Sequence, residues 1–344
     1  MKETWSLDVL YKGYDDPQFE ADIKKLDELI AQCNTLADTL SHKDETATLK
    51  QILTTLNELE QISYQLLAYA NLRQSCDTTD AQTAAYLDKI TKKTSNVAKA
   101  KAKFNRYIAQ IKDLDACLEK EEALQEYTYL LHSIQEDGRY LLSDDVEEVL
   151  SKMDISAGQA WETMQSYLTS TLEVDYDGKT TTLSQIRNLA YDSDKKVRKR
   201  AYEAELAAYA KIRDAIAFSL NNIKAQVLTE CELRGFASPL AMTLHQSHMK
   251  QETLDAMLSA MDDYMPVFRK YLKRKAEMLG YQNGLPWYEL FAPIGKDDTK
   301  FTIETAKDYL LKHFAPFAQD MADMMEEAFA DEWIDFYPRK GKVG

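Results

Sequence analysis

The punctuation of this chain constrains its fold more than any motif in it does. No glycine occurs between Gly13 and Gly138, and no proline between Pro17 and Pro239. Those two residues are the usual breakers of helices and strands. The sequence between them is rich in Ala, Leu, Lys, Glu and Gln, which are good helix formers. Such a stretch predicts helix after helix, with short connections that place neighbours antiparallel.

Helix starts are readable in detail. Asp16 is a good N-cap and Pro17 suits the first helical position. Phe19, Ile23, Leu26, Ile30, Cys33, Ala37 and Leu40 then form one stripe, in alternating steps of four and three. After a polar break over 41–45, a second stripe runs through Leu49, Ile52, Leu56, Leu59, Leu66 and Tyr69 or Ala70. A third helix is expected from about Thr79, with Gln82 completing a capping box, and it carries Leu87, Ile90, Val97, Phe104 and Ile108. A fourth is expected over 115–135, closed by Asp137-Gly138. Ser143 opens a fifth over 146–153, and a sixth covers 158–168.

Residues 172–183 switch to a period of two around Asp177-Gly178, which predicts a β-hairpin. Helix is expected again over 184–190 and over 194–234. Pro266 should kink a helix over 251–279 without stopping it. A last helix from Thr302 should break at Ala315-Pro316 and resume to Ala330. The segment from Trp333 to Tyr337 looks strand-like. The expected class is therefore all-α, mainly helical, with an antiparallel helical lobe over 1–190 and a second helical part over 191–344.

Charge and cysteines narrow the function. The chain carries 57 acidic against 42 basic residues, a net charge of −15, which argues against nucleic acid as a partner. No apolar run is long enough for a membrane helix. The N-terminus from Met1 to Leu7 has mixed charge and no apolar core, so no secretory leader is expected. Cys33, Cys76, Cys117 and Cys231 are far apart and form no C-x-x-C pair. That pattern fits free thiols and a cytoplasmic location.

Motifs that carry chemistry are mostly missing. None of His42, His132, His245, His248 and His313 is followed by Glu, so a His-Glu-x-x-His zinc helix is absent from these 344 residues. His245 and His248, with Glu252, would share a face if helical; the plainer reading makes them polar residues at a loop-to-helix junction. Arg339 to Gly344 lacks the spacing of a phosphate loop. No G-x-S-x-G elbow or dinucleotide fingerprint occurs. Two acidic clusters, Asp144, Asp145, Glu147, Glu148 and Glu119, Glu121, Glu122, read as solvated helix ends. The tyrosines and the Met321, Met324, Met325 group read as packing. No catalytic, cofactor-binding or metal-ligating residue is assigned.

Several segments, taken in order, resemble oligoendopeptidase F-type zinc metallopeptidases of the thimet-oligopeptidase-like clan. They are Thr4-Trp-Ser-Leu-Asp-Val-Leu-Tyr-Lys-Gly13 and Leu141-Leu-Ser-Asp-Asp-Val-Glu-Glu-Val-Leu-Ser-Lys152, then Ala160-Trp161 and Leu168-Thr-Ser-Thr-Leu172. Asp194-Lys-Lys-Val-Arg198, Ala201-Tyr202, Arg234-Gly-Phe-Ala-Ser-Pro239, Trp287-Tyr-Glu-Leu-Phe-Ala-Pro293 and Trp333-Ile-Asp-Phe-Tyr-Pro-Arg-Lys-Gly-Lys342 follow. The resemblance implies an N-terminal helical lobe over 1–190 and an incomplete N-terminal part of a zinc-peptidase domain over 191–344. It implies two lobes enclosing a channel for short peptides, and a zinc-bound water that attacks the peptide bond. The resemblance implies that the family's two zinc histidines, its third carboxylate ligand and its catalytic Glu lie C-terminal to these residues, so no residue here inherits those roles. The expectation is a truncated member, inactive alone and without zinc, with a missing catalytic half as its partner. The alternative expectation is a non-catalytic helical protein-binding module.

Overall fold

The computed structural model describes residues 4–295 and 299–343. The first three residues of the N-terminal stretch and the final Gly344 of the basic segment lie outside the described residues.

The first helix, α1, runs Pro17–Asp38, and the Asp16 carboxylate accepts a hydrogen bond from the Gln18 amide at 2.9 Å. Helix α2 runs Glu45–Cys76 behind the Asp44 cap, which accepts from the Ala47 amide. The stripes expected on these two helices face each other, and Leu26, Leu29, Leu49, Ile52 and Leu66 are fully buried.

The expected third helix is two helices. The cap is Asp80, whose carboxylate accepts from the Gln82 amide, while Thr79 bonds back to Asp77. Helix α3 spans Ala81–Ser95 and α4 spans Ala98–Ala109. The break falls at Asn96-Val97, after Thr94 and Ser95, whose hydroxyls bond to carbonyls three residues back. Hydroxyl residues of this kind compete with the helix ladder. The fourth expected helix is also divided. Helix α5 covers Leu114–Lys120, a three-ten turn covers Glu122–Tyr127, and α6 covers Thr128–Asp137. A continuous core joins Tyr11 to Leu131 across α1 to α6.

Helix α7 spans Asp144–Asp154 and α8 spans Gly158–Ser170. The hairpin forms as expected. Strand β1, Glu173–Tyr176, pairs antiparallel with β2, Lys179–Thr182, with Val174 opposite Thr181. Asp177 and Gly178 both have positive φ, 49° and 75°, as a two-residue hairpin turn requires. Helix α9, Leu183–Asn188, starts with a capping box of Thr182 and Gln185. Helices α10, Lys195–Tyr209, and α11, Arg213–Arg234, replace the single helix expected over 194–234. A second, small core joins Leu172, Val174, Leu183 and Ile186 to Ala201 and Ala208.

Beyond it the packing thins. Helix α12 is Pro239–Gln246, α13 is Gln251–Met278, α14 is Ile303–Phe314 and α15 is Gln319–Ala330. Pro266 sits inside α13 without ending it. The stop between α14 and α15 lies where Pro316 was expected to place it. Trp333–Tyr337 is not a strand. It has no regular structure, and the chain on either side of it is pinned at isolated points: Ser6 N–H donates to Glu332, Gly341 N–H to Ser170, and Val343 N–H to Ser75.

Candidate functional site

Three landmark clusters of the sequence meet in space, and each meeting is an ion pair. Arg234, the last residue of α11, reaches Glu147 of α7 through two parallel hydrogen bonds of 2.7 and 2.9 Å. Burial pushes the Glu147 carboxyl up, but the Arg234 guanidinium and the Leu142 amide outweigh it and hold it below the usual range. Arg198 of α10 pairs with Glu289 of the Trp287–Glu289 turn, both almost wholly buried. The same carboxylate accepts from the Tyr281 hydroxyl at 2.7 Å, and Arg198 also donates to the carbonyls of Asp192 and Ser193. Lys275, buried beside them, donates to the Leu290 carbonyl; desolvation and then the nearby Arg198 charge hold its ammonium below the usual lysine range.

The third meeting is that of Lys340 with Glu173 of β1, and the C-terminal segment that carries Lys340 is held in shape by ion pairs of its own. The Asp335 side chain, 3% exposed, takes both Arg339 and Lys342. Desolvation raises its carboxyl, and these two cations more than offset that, so it lies below the usual range. Lys340 reaches Glu173 on β1 at 2.6 Å. All of these groups fix chain segments. None holds a reacting atom.

Two concavities flank these struts. The larger, about 920 Å³, lies between α2, α3 and α8, with Val343 at its edge. Asn71, Gln74, Thr91, Gln159 and Thr163 line it, with one carboxylate, Glu162. Neutral amides and hydroxyls of this kind donate and accept without selecting charge, which suits a polypeptide backbone. The smaller, about 410 Å³, is largely aromatic: Tyr191, Tyr202, Trp287, Tyr288 and Phe291 line it, together with Arg187, Arg198 and Glu205. Neither contains a base aimed at a nucleophile.

The histidine pair does not make a metal site. Helix α12 ends at Gln246 and His248 adopts φ 49°, so His245 and His248 do not share a helical face. His245 is directed to Asp137, His132 Nε2 to Asp115 at 3.1 Å, and His248 lies edge-on to Tyr129. Glu252 belongs to the start of α13 and is not among the residues that border the same depression. Among the described residues no group of three or more His, Cys, Asp or Glu is placed to hold a metal ion. The residues present do not fit a zinc site, and no reaction step is derived through one.

Sequence reasoning named Arg198, Arg234 and Glu289 only as parts of landmark segments, and it read Glu147 as part of a solvated acidic helix end, whereas Glu147 is largely buried against Arg234. The signal available was a charged residue embedded in an apolar or aromatic run, as Glu289 is in Trp287-Tyr-Glu-Leu-Phe291. Such a charge is buried only with a partner.

Comparison with known proteins gives the same picture along the whole chain. A family model described as Oligopeptidase F matches residues 110–173, and one described as Peptidase family M3 matches residues 188–344. Oligopeptidase PepF of Bacillus subtilis (strain 168) is 24% identical over 355 residues, covering 99% of this chain and 52% of that protein. Group B oligopeptidase PepB of Streptococcus agalactiae is 23% identical, covering 99% of this chain and 57% of that protein. The crystal structure of oligoendopeptidase-F from Enterococcus faecium superimposes with a TM-score of 0.73 at 17% identity, over 92% of this chain and 66% of that one. At that identity the likeness shows the fold. The chain spans a little over half the length of these curated relatives.

Proposed function

This chain belongs to peptidase family M3, of the oligoendopeptidase F type, and from that premise we propose that it is the N-terminal portion of a cytoplasmic zinc endopeptidase acting on short peptides. The two-part division carries over as a proposal: a helical lobe over 1–190, then an incomplete peptidase domain over 191–344. One observation carries the reading. The relatives match the chain in order over 99% of its length, yet a little under half of each lies outside the match, and these 344 residues contain no His-Glu-x-x-His. The zinc ligands and the general base then belong to the part outside the match. The 344 residues alone bind no catalytic zinc and cleave no peptide.

What this chain supplies is a frame. Backbone hydrogen bonds tie the last described segment to the end of α2 and to the N-terminal residues, with Val343 N–H donating to Ser75, Thr78 N–H to Gly341 and Ser6 N–H to Glu332, while Asp335 with Arg339 and Lys342 holds that segment's own turn. The groove between α2, α3 and α8, with Glu162 as its one carboxylate, offers amides and hydroxyls that can hydrogen-bond a short peptide.

The alternative, a helical protein-binding module, drew on the coiled-coil-like stripes of the first helices. Those stripes are consumed in the lobe's own core, with Leu26, Leu49 and Leu66 at 0% exposure. That reading would need a different surface. The test is direct: the purified chain is incubated with zinc, and quenched-fluorescence peptides of several lengths are added with and without a chelator. No cleavage above buffer is expected. Chelator-sensitive cleavage would place a complete active site within these residues and defeat the proposal.

A further inference from the structure

Helix α13 is the least accounted-for element of the fold. It is 28 residues long, yet only Lys275 and Ala276, near its end, are buried. Its apolar residues are not scattered. Met257, Met261, Tyr264, Phe268 and Tyr271 recur in steps of four and three along one face, with Leu258, Met265 and Val267 widening it. Met261 is 54% exposed, Tyr264 64% and Phe268 59%. An isolated helix gains little stability from its own ladder, and most helices depend on a packed apolar face.

The width of the face says what kind of surface covers it. A helix that pairs with one other helix needs a narrow seam of two positions in seven. The face of α13 occupies about four in seven, which fits a helix inside a domain with neighbours on more than one side. Its rim is polarised: Asp262 and Asp263 flank the first half, and Arg269 and Arg274 the second.

Together with the length of the relatives, the geometry points to one occupant. We propose that the apolar face of α13 is the docking surface for the remainder of the M3 peptidase domain. That remainder is a polypeptide carrying a broad apolar face, with cations opposite the first half of α13 and carboxylates opposite the second. The peptidase family model covers residues 188–344 and so runs through α13; the uncovered face belongs to the matched part of that domain. The inference rests on the reading above, and the two are separable by experiment.

The experiment compares this chain with a chimera in which the region of the Bacillus subtilis relative beyond the match is fused after Gly344. Hydrogen exchange by mass spectrometry follows the amides of residues 257–271, and metal analysis counts zinc. Exchange over α13 should be fast in the chain alone and slower by on the order of 100-fold or more in the chimera. Unchanged exchange in a chimera that binds zinc would overturn the docking surface while leaving the peptidase reading intact. Slowed exchange without zinc would do the reverse. A second measurement keeps the proposal falsifiable if the chimera does not fold. The double variant M261K/F268K of the chain alone should melt at the same temperature as the unaltered chain and bind less of a dye that reports exposed apolar surface. A fall in melting temperature would mean the face is already packed, and the proposal fails. A stable dimer of the chain, broken by the same variant, would assign the face to a second copy and also overturn it.

Discussion

Removing the Arg198 side chain tests whether the buried charges are struts. Arg198 and Glu289 are 4% and 0% exposed, so water cannot rescue either charge. In Arg198→Ala the Glu289 carboxylate keeps the Tyr281 hydroxyl but loses its cation, and the carbonyls of Asp192 and Ser193 lose their donor. Breaking a buried pair from one side costs about 3–5 kcal/mol, which is roughly a thousandfold in the local unfolding equilibrium. Replacing both partners with apolar residues of similar volume, Arg198→Met with Glu289→Leu, removes the orphaned charge. That double variant should therefore recover most of the loss, a coupling that a double-mutant cycle measures. Urea unfolding followed by circular dichroism gives the stability, and hydrogen exchange of the α10 amides gives the local effect. The reasoning is refuted if Arg198→Ala stays within about 1 kcal/mol of the unaltered chain, or if the double variant is as unstable as the single one.

Other expectations follow from single features. Asp80→Ala should cost about 1 kcal/mol and shorten α3 at its start, whereas Thr79→Ala should not do so through the helix cap; chemical denaturation separates them. Leu26→Ala, at a fully buried position, should cost about 2–5 kcal/mol, whereas Met261→Ala on the uncovered face of α13 should change the melting temperature little. Glu147 and Asp335 have carboxyls held below their unfolded values, so their contribution is fully present above the unfolded carboxylate range. It is lost as pH falls through their lower folded values. Acid titration of stability should show this loss, and Asp335→Asn should flatten part of it. Gly178→Ala, at φ 75° in the hairpin turn, should destabilise the β1–β2 unit by about 1 kcal/mol in a thermal melt.

The fold was legible where local chemistry and tertiary packing agree. Asp16-Pro17 started α1 as expected, and Asp177-Gly178 formed the hairpin, because a cap and a turn depend on a few neighbouring atoms. The number of helices was less legible. Val97 and Phe104 keep the helical spacing of the third stripe, but Thr94, Ser95 and Asn96 bond locally and interrupt the ladder between them. The split at 210–212 has no glycine or proline to announce it. The Asp80 cap was missed in favour of Thr79 because the two are adjacent and both are good caps; only the direction of the Asp80 carboxylate decides. The strand-like reading of 333–337 failed because an alternating segment becomes a strand only with a paired neighbour.

The candidate site was less legible still. The ion pairs join residues 87 and 91 positions apart in sequence. No periodicity reports a partner at that distance. The ordered resemblance located the segments that carry them, but gave no reason for the charges. The structure supplies that reason: Arg198, Glu289, Arg234 and Glu147 hold helices together at places where the apolar core is thin. For α13 the sequence analysis gave only a helix with Pro266 inside it; that one face of it is apolar and uncovered emerges from the structure.

The most direct test of the central claim is made on the protein in its source cells. An antibody raised against α1 and α2 would isolate the native species for intact-mass and zinc analysis. The account predicts a species well above the 39.5 kDa of these residues, carrying zinc in stoichiometric amount. A species of 39.5 kDa without zinc, and without a second polypeptide bound to it, would contradict the account.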